Sequence, residues 1–558
     1  MTQTTYRLAV VIVLMLVGGL AQARADTYPK NPRVDVLNYR FAIELQDRDD
    51  RIAASADIDV RFAGDGETAL RFDLVDRDAA TGKGMTVSAV SIDGVGVTFA
   101  HREQVLRIEL PRRYRVDERV RLRIVYVGEP GGGLKIANNR YGDRTFFSDN
   151  WPDKARHWLP VVDHPYDKAT CEMVVTAPAH YQVVSNGLLI EETDLPEGRR
   201  RTYWRQSVPI APWLYVLGVA RFAVQHVGTW DGKAIETWVY AQDRDAGFHD
   251  FAVPTRDALA FYADKVGPFA YEKLANVQSN SVSGGMEAAS AIFYSEGSVT
   301  GDRSVRWRNV VIHEIAHQWF GNAVTEYDWD DVWLSEGFAT YFTLLFIEHQ
   351  YGRDEFLSGL ESSRQRVLAF DREQPDYRVV HDNLADMAKV TTGQTYEKGA
   401  WILHMLRGIV GDEAFWTGIR SYYRAHQDGH ATTADFRAEM ERASGRDLRA
   451  FFDQWLLRGG VVRLDGTWSY RAETGTLTVR LAQRDAARAF SIPVQIGIYA
   501  AGSATPTITT VALSASSPEV QIAMAQRPDR VVLDPQHFVL MDATFAEAGS
   551  LAESPVRR

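Results

Sequence analysis

The chain has 558 residues, 45% hydrophobic and 24% charged, with a formal charge of −11. One core does not grow to this size, so roughly two to four domains are expected, of ordinary globular composition. The acidic balance, with no basic run or face, argues against a nucleic-acid partner.

The chain opens with Arg7, an apolar run over 8–17, and Gly18-Gly19-Leu20. Ala23-Arg24-Ala25 follows, a small-x-small site, so 1–25 reads as a signal peptide cleaved after Ala25. The run is short for a membrane anchor, and no later stretch is long and apolar enough to span a bilayer. The expectation is an exported protein, periplasmic or secreted, with no stable membrane span after cleavage. Cys171 is the single cysteine, so no internal disulfide can form. It lies in a strand-like run and reads as packed.

From 26 to about 226 the pattern is short alternating runs, including 35–45, 58–62, 106–110, 120–126 and 172–177. They predict an N-terminal antiparallel β domain. Pro130-Gly131-Gly132-Gly133 is a loop, because no strand–helix context surrounds it. From 227 to 458 strand-like runs at 234–241 and 275–278 lead into helical periods at 255–266, 304–320, 335–350, 353–369, 396–410 and 412–426. Gly321, Gly352 and Gly411 punctuate their ends. From 459 to 545 alternation returns and predicts a β-sandwich, leaving 546–558 as a flexible tail.

His313-Glu314-Ile315-Ala316-His317 falls inside a helical period. Residues four apart share a helix face, so both imidazoles can reach one metal ion with Glu314 beside them. A catalytic zinc uses three protein ligands and a water. Glu336, after 18 intervening residues, opens the next helix and supplies the third. Asp331 is a candidate to orient a ligand imidazole through its second nitrogen. His349, His381, His404 and His426 stand alone and read as surface or packed histidines.

These residues carry a resemblance. Residues 313–322 (HEIAHQWFGN) and 333–339 (WLSEGFA) resemble the aminopeptidase N family of gluzincins, which includes the leukotriene hydrolase branch. Gly284-Gly285-Met286-Glu287 resembles the family's Gly-x-Met-Glu-Asn exopeptidase signature, and Tyr396-Glu397-Lys398-Gly399-Ala400 its catalytic-tyrosine segment. Ala155-Arg156, Trp158-Leu159-Pro160, Asp163, Pro165 and Lys168-Ala169-Thr170 resemble its N-terminal-domain signature.

The resemblance implies a thermolysin-like, mainly helical α/β catalytic domain and an aminopeptidase acting on peptides with a free N-terminus. It implies one zinc per chain held by His313, His317 and Glu336, with Glu314 as general base, Tyr396 as oxyanion donor and Glu287 as ammonium anchor. Gly284, Gly285 and Met286 would line the substrate, with Met286 and Gln278 shaping the side-chain pocket. Two positions depart from the pattern: Ala288 stands where the family has Asn, and Asp149 where it has an amine-binding Gln. Asp149 could add a second negative partner for the substrate amine. The large C-terminal helical domain of many relatives is missing from this reading, which predicts a more open site or enclosure by oligomerisation. A zinc hydrolase of another class, such as an epoxide hydrolase, and a degenerate peptide-binding protein stay open.

Overall fold

The structure is a computed structural model and describes residues 26–381, 384, 386–515 and 518–549. The expected signal peptide and residues 550–558 of the expected tail lie outside the described residues.

The N-terminal region is built on an eight-stranded sheet that runs from Leu188–Leu195 at one edge to Val95–Gly96 at the other. Strict alternation explains its strands. In Ile52–Phe62 the even-numbered residues Ile52, Ala54, Ala56, Ile58, Val60 and Phe62 are buried, while Asp57 and Asp59 face Arg123 and Arg121 across the outer surface. The sheet is not wholly antiparallel. Val34–Glu44 and Ala169–Pro178 pair in parallel, Asn38 opposite Thr170. A parallel pair needs a long crossover, and the intervening chain supplies one by building the rest of the region.

A five-stranded mixed sheet begins the next region, in the order Phe222–Trp230, Lys233–Tyr240, Lys273–Ser279, Ala291–Ser295, Gly285–Met286. Lys273–Ser279 is buried along its whole length, as an interior strand with parallel neighbours on both sides must be. Gly285–Met286 is the edge. Among the described residues, eight α-helices accompany this sheet: α1 Arg244–Lys265, α2 Val305–His317, α3 Trp333–Tyr351, α4 Arg353–Glu373, α5 Gly399–Val410, α6 Asp412–His426, α7 Thr433–Ser444 and α8 Arg449–Leu456. Packing runs α1 on α2, α2 on α3, and α3 on both α4 and α5. α3 is buried through most of its length, from Trp333 to Ile347.

After α8 the chain forms a four-stranded sheet, Glu519–Ala523, Thr476–Gln483, Val462–Arg471 and Met541–Glu547, and a three-stranded one, Thr507–Leu513, Ile492–Tyr499 and Arg530–Leu533. The last strand pairs Ala546 and Glu547 with Thr467 and Trp468, so order extends into the first residues of the expected tail.

Candidate active site

α2 presents His313 and His317 one turn apart, with their Nε2 atoms 3.1 Å from each other. The chain then turns through 318–332 and returns as α3, whose first turn carries Glu336. Glu336 Oε2 lies 3.2 Å from His317 Nε2 and 3.5 Å from His313 Nε2. α3 crosses α5 closely because both helices have glycine at the contact. A Cβ on Gly337 would stand 2.9 Å from the Gly399 Cα. Just before α5, a single π turn, Gln394–Lys398, brings Tyr396 to the same point, where its hydroxyl donates to Glu336 Oε1 at 2.7 Å.

Glu314 and Glu287 complete the cluster. One donor atom each from Glu287, Glu314 and His317 lie within 4.8 Å of one another. Gly285 makes room for this: a Cβ there would meet Glu314 Oε1 at 2.1 Å. Gly285–Met286 pairs with Ala291–Ser295 on one side only and leaves its other edge unpaired by strand. Met286 is buried, and Ser295 N donates to Gly284 O. A cleft of about 530 Å³ runs outward from Gly285, His313, Glu314 and Tyr396 between α2, α3 and α4.

The electrostatics are lopsided. Burial pushes Glu287 up to about 7 against the pull of His317. Burial, then Glu287, raises Glu314 well above the carboxylate range. Burial also pushes Glu336 up, but His317 and His313 beside it hold it at about 2. Burial opposes a charged His317, yet Glu287 and Glu336 raise it to about 10. Three buried carboxylates thus crowd around too little positive charge, and Glu287 Oε1 and Glu314 Oε2 accept no hydrogen bond. A divalent cation and an ammonium group would balance the three.

The donor set fits such a cation. Separations of 3.1 to 3.5 Å match the edge of a tetrahedron, about 3.3 Å for bonds near 2.0 Å. His317 Nδ1 donates to Phe320 O at 3.1 Å, with Ser335 Oγ at 3.1 Å, so Nε2 is the nitrogen that faces the cluster, and a bound cation would take the place of its proton.

Other expectations are corrected. Asp331 touches neither imidazole; it accepts from the Thr433 hydroxyl at 2.6 Å and its N–H at 3.2 Å, at the start of α7. Gln278 is fully buried, accepting from Tyr240 N and donating to Asp243. Asp149 lies near enough to raise Glu287 through its charge, but Lys154 Nζ already pairs with it at 3.6 Å. Two residues escaped the sequence reading. Gln318 Nε2 and Asn322 Nδ2 both donate to the Glu287 carbonyl, at 2.9 and 2.6 Å. Gln318 was findable, because it follows Glu314 by one helical turn.

Two family profiles match the chain, the Peptidase M1 N-terminal domain over 36–214 and the Peptidase family M1 domain over 254–455. Among curated relatives, aminopeptidase N of Streptomyces lividans is 29% identical over 441 residues, 73% of this chain and 50% of that protein. Glutamyl aminopeptidase of Rattus norvegicus is 28% identical over 333 residues, 57% of this chain and 35% of that protein. The chain thus matches a third to a half of the length of these relatives. The structure of an M1 zinc metallopeptidase from Deinococcus radiodurans aligns with TM-score 0.64 and 24% identity, covering 76% of this chain and 94% of that one. Legionella pneumophila aminopeptidase A, solved with aspartic acid, aligns with TM-score 0.77 and 19% identity, covering 92% and 60%. These two likenesses establish the fold. With both of its domain profiles matched in order, around a cluster of two histidines and a glutamate, the chain belongs to peptidase family M1.

Proposed function

We propose that this chain is a zinc-dependent aminopeptidase, a peptide-bond hydrolase that removes one residue at a time from a free N-terminus. The observation that carries the reading is Glu287. Its carboxylate is buried, with Oε1 accepting no hydrogen bond, beside Glu314 and His317. A charged peptide amine is the group that would satisfy it.

His313, His317 and Glu336 would hold one zinc ion. Such an ion, when bound, polarises a scissile carbonyl and acidifies a water. Glu314 accepts the proton of the attacking water and passes it to the leaving amine. Tyr396 is placed to donate its hydroxyl proton to the oxyanion in place of Glu336, a contact worth on the order of 100- to 1000-fold in rate. The free edge of Gly284-Gly285-Met286 receives the peptide as an added strand. Glu287 fixes the amine, so a blocked N-terminus loses a charge-assisted contact and strands a buried carboxylate.

The same reading includes export to the periplasm or beyond, from the run over 8–25. It also includes three domains, 26–226, 227–458 and 459–545, the last a β-sandwich. A panel of aminoacyl fluorogenic substrates and their N-acetylated forms tests the central claim. Wild type should cleave only free-amine substrates, and Glu287→Ala should lose at least tenfold, about 1.4 kcal/mol, in kcat/KM. Equal cleavage of blocked substrates, or an unaffected variant, would refute it.

A further inference from the structure

Lys168 immediately precedes the strand Ala169–Pro178 of the N-terminal region, yet its side-chain nitrogen lies in the catalytic region. It is buried, and its Nζ donates to three backbone carbonyls: Asn322 at 2.9 Å, Ala323 at 3.1 Å and Gly429 at 3.1 Å. All three N–H donors are used. Among the described residues no carboxylate comes within salt-bridge distance of it, and Asp428 and Glu326 act only at longer range. Burial lowers its pKa to about 7, so keeping the charge there is costly, and a methionine would fill the same space without that cost. The contacts it makes are therefore worth following.

They lead to the amine anchor. Asn322 O also accepts from the Thr325 hydroxyl at 2.8 Å, so this peptide group is gripped from two sides. Its own carboxamide reaches the Glu287 carbonyl at 2.6 Å, the shorter of the two bonds there. Gln318, the other donor to that carbonyl, also accepts from Ser290 N at 3.0 Å, so the segment 287–290 is hung from α2 and the turn after it. The far end of this segment is tied to the N-terminal region directly, Asn186 Nδ2 donating to Ala289 O at 2.6 Å and Gly187 N to Ser290 Oγ at 2.7 Å. Of the two side chains that hold the Glu287 carbonyl, Asn322 is the one in the turn that Lys168 grips.

We propose that Lys168 is a positioning residue for Glu287: by fixing the 322–323 turn it fixes the carboxamide of Asn322, and through it the height at which Glu287 meets a substrate amine. Lys168 touches no reacting atom. The inference rests on the aminopeptidase reading, and the experiment separates the two.

Inhibition constants are measured for leucine hydroxamate and for the same hydroxamate lacking its α-amino group, on zinc-loaded full-length protein. Wild type should prefer the amine-bearing form. Glu287→Gln should abolish most of that preference; if it does not, the amine-anchor reading and this inference fall together. Lys168→Met should reduce the preference by about tenfold while raising KM more than it lowers kcat, with zinc content unchanged. A folded, zinc-loaded Lys168→Met that keeps the wild-type preference, whatever its melting temperature, overturns the inference and leaves Glu287's role intact. Should Lys168→Met fail to fold, Asn322→Ala keeps the ammonium and its carbonyls but cuts the link. An unchanged preference in that variant overturns the inference equally.

Discussion

Gly285 has no side chain because the Glu314 carboxylate occupies the place a Cβ would take, 2.1 Å away. Gly285→Ala must therefore push either the edge strand or Glu314 aside. The expected result is a loss of kcat on the order of 100-fold, with bound zinc retained, since misplacement of about 1 Å is enough for that. Metal analysis beside steady-state kinetics checks it, and wild-type kcat would disprove it. At this scale the sequence was most legible where side chains meet side chains on a regular period. His313, His317 and Glu336 converge as their spacing predicts. It was least legible where side chains meet backbone. Nothing in the letters says that Asn322 holds a carbonyl contributed 35 positions earlier. Asp331 was misread for the related reason that its partner, Thr433 at the start of α7, is brought beside it only by the fold.

Among the elements, the helices that bear the motifs were predicted nearly to the residue, and 412–426 coincides with α6. α1 begins at Arg244 rather than 255, because Pro254 reads as a boundary but is accommodated inside the helix, buried. α7 and α8 were missed, although Thr432 and Asp435 form a capping box that marks the start of α7. Helical period alone also cannot separate the π turn carrying Tyr396 from ordinary helix. α5 carries a testable consequence. His404 is fully buried, with Tyr341 OH at 3.0 Å from Nδ1 and Nε2 donating to His537 O at 2.9 Å. Burial lowers its pKa to about 3, so the folded state excludes a proton that the unfolded state accepts below about 6.5. Stability should therefore fall on acidification through that window, by about 2 kcal/mol at pH 5 from this residue. Urea titrations at pH 7 and pH 5 should give a smaller difference for His404→Gln than for wild type. Equal differences would exclude His404 as the cause.

Across the whole molecule, the site is where the regions meet. Lys168, Asn322 and Gly429 join the N-terminal strands to the turn after α2, His430 Nε2 donates to Pro165 O at 2.8 Å, and His404 reaches the C-terminal strands. Charge at the centre should thus be felt globally. An ion present at about 1,000 times its Kd adds about 4 kcal/mol to folding, and removing it leaves Glu287, Glu314 and Glu336 to repel one another. Protein dialysed against a chelator should be inactive and melt at lower temperature, and zinc should restore both. An unchanged melting temperature would show that the three carboxylates need no cation. The change from alternating runs to helical periods was plain in the sequence. The parallel pairing of Val34–Glu44 with Ala169–Pro178 was not, because pairing direction leaves no mark on the pattern of either strand.

The unpaired edge of Gly285–Met286 has a consequence for diet. On the proposed reading the edge would meet a peptide along its main chain, which nearly all residues share, so most sequences would be shortened on it. Proline alone brings no N–H to such a ladder. Chains with an early proline would then outlast their neighbours, and the residues left on them would be the mark of the proposed activity.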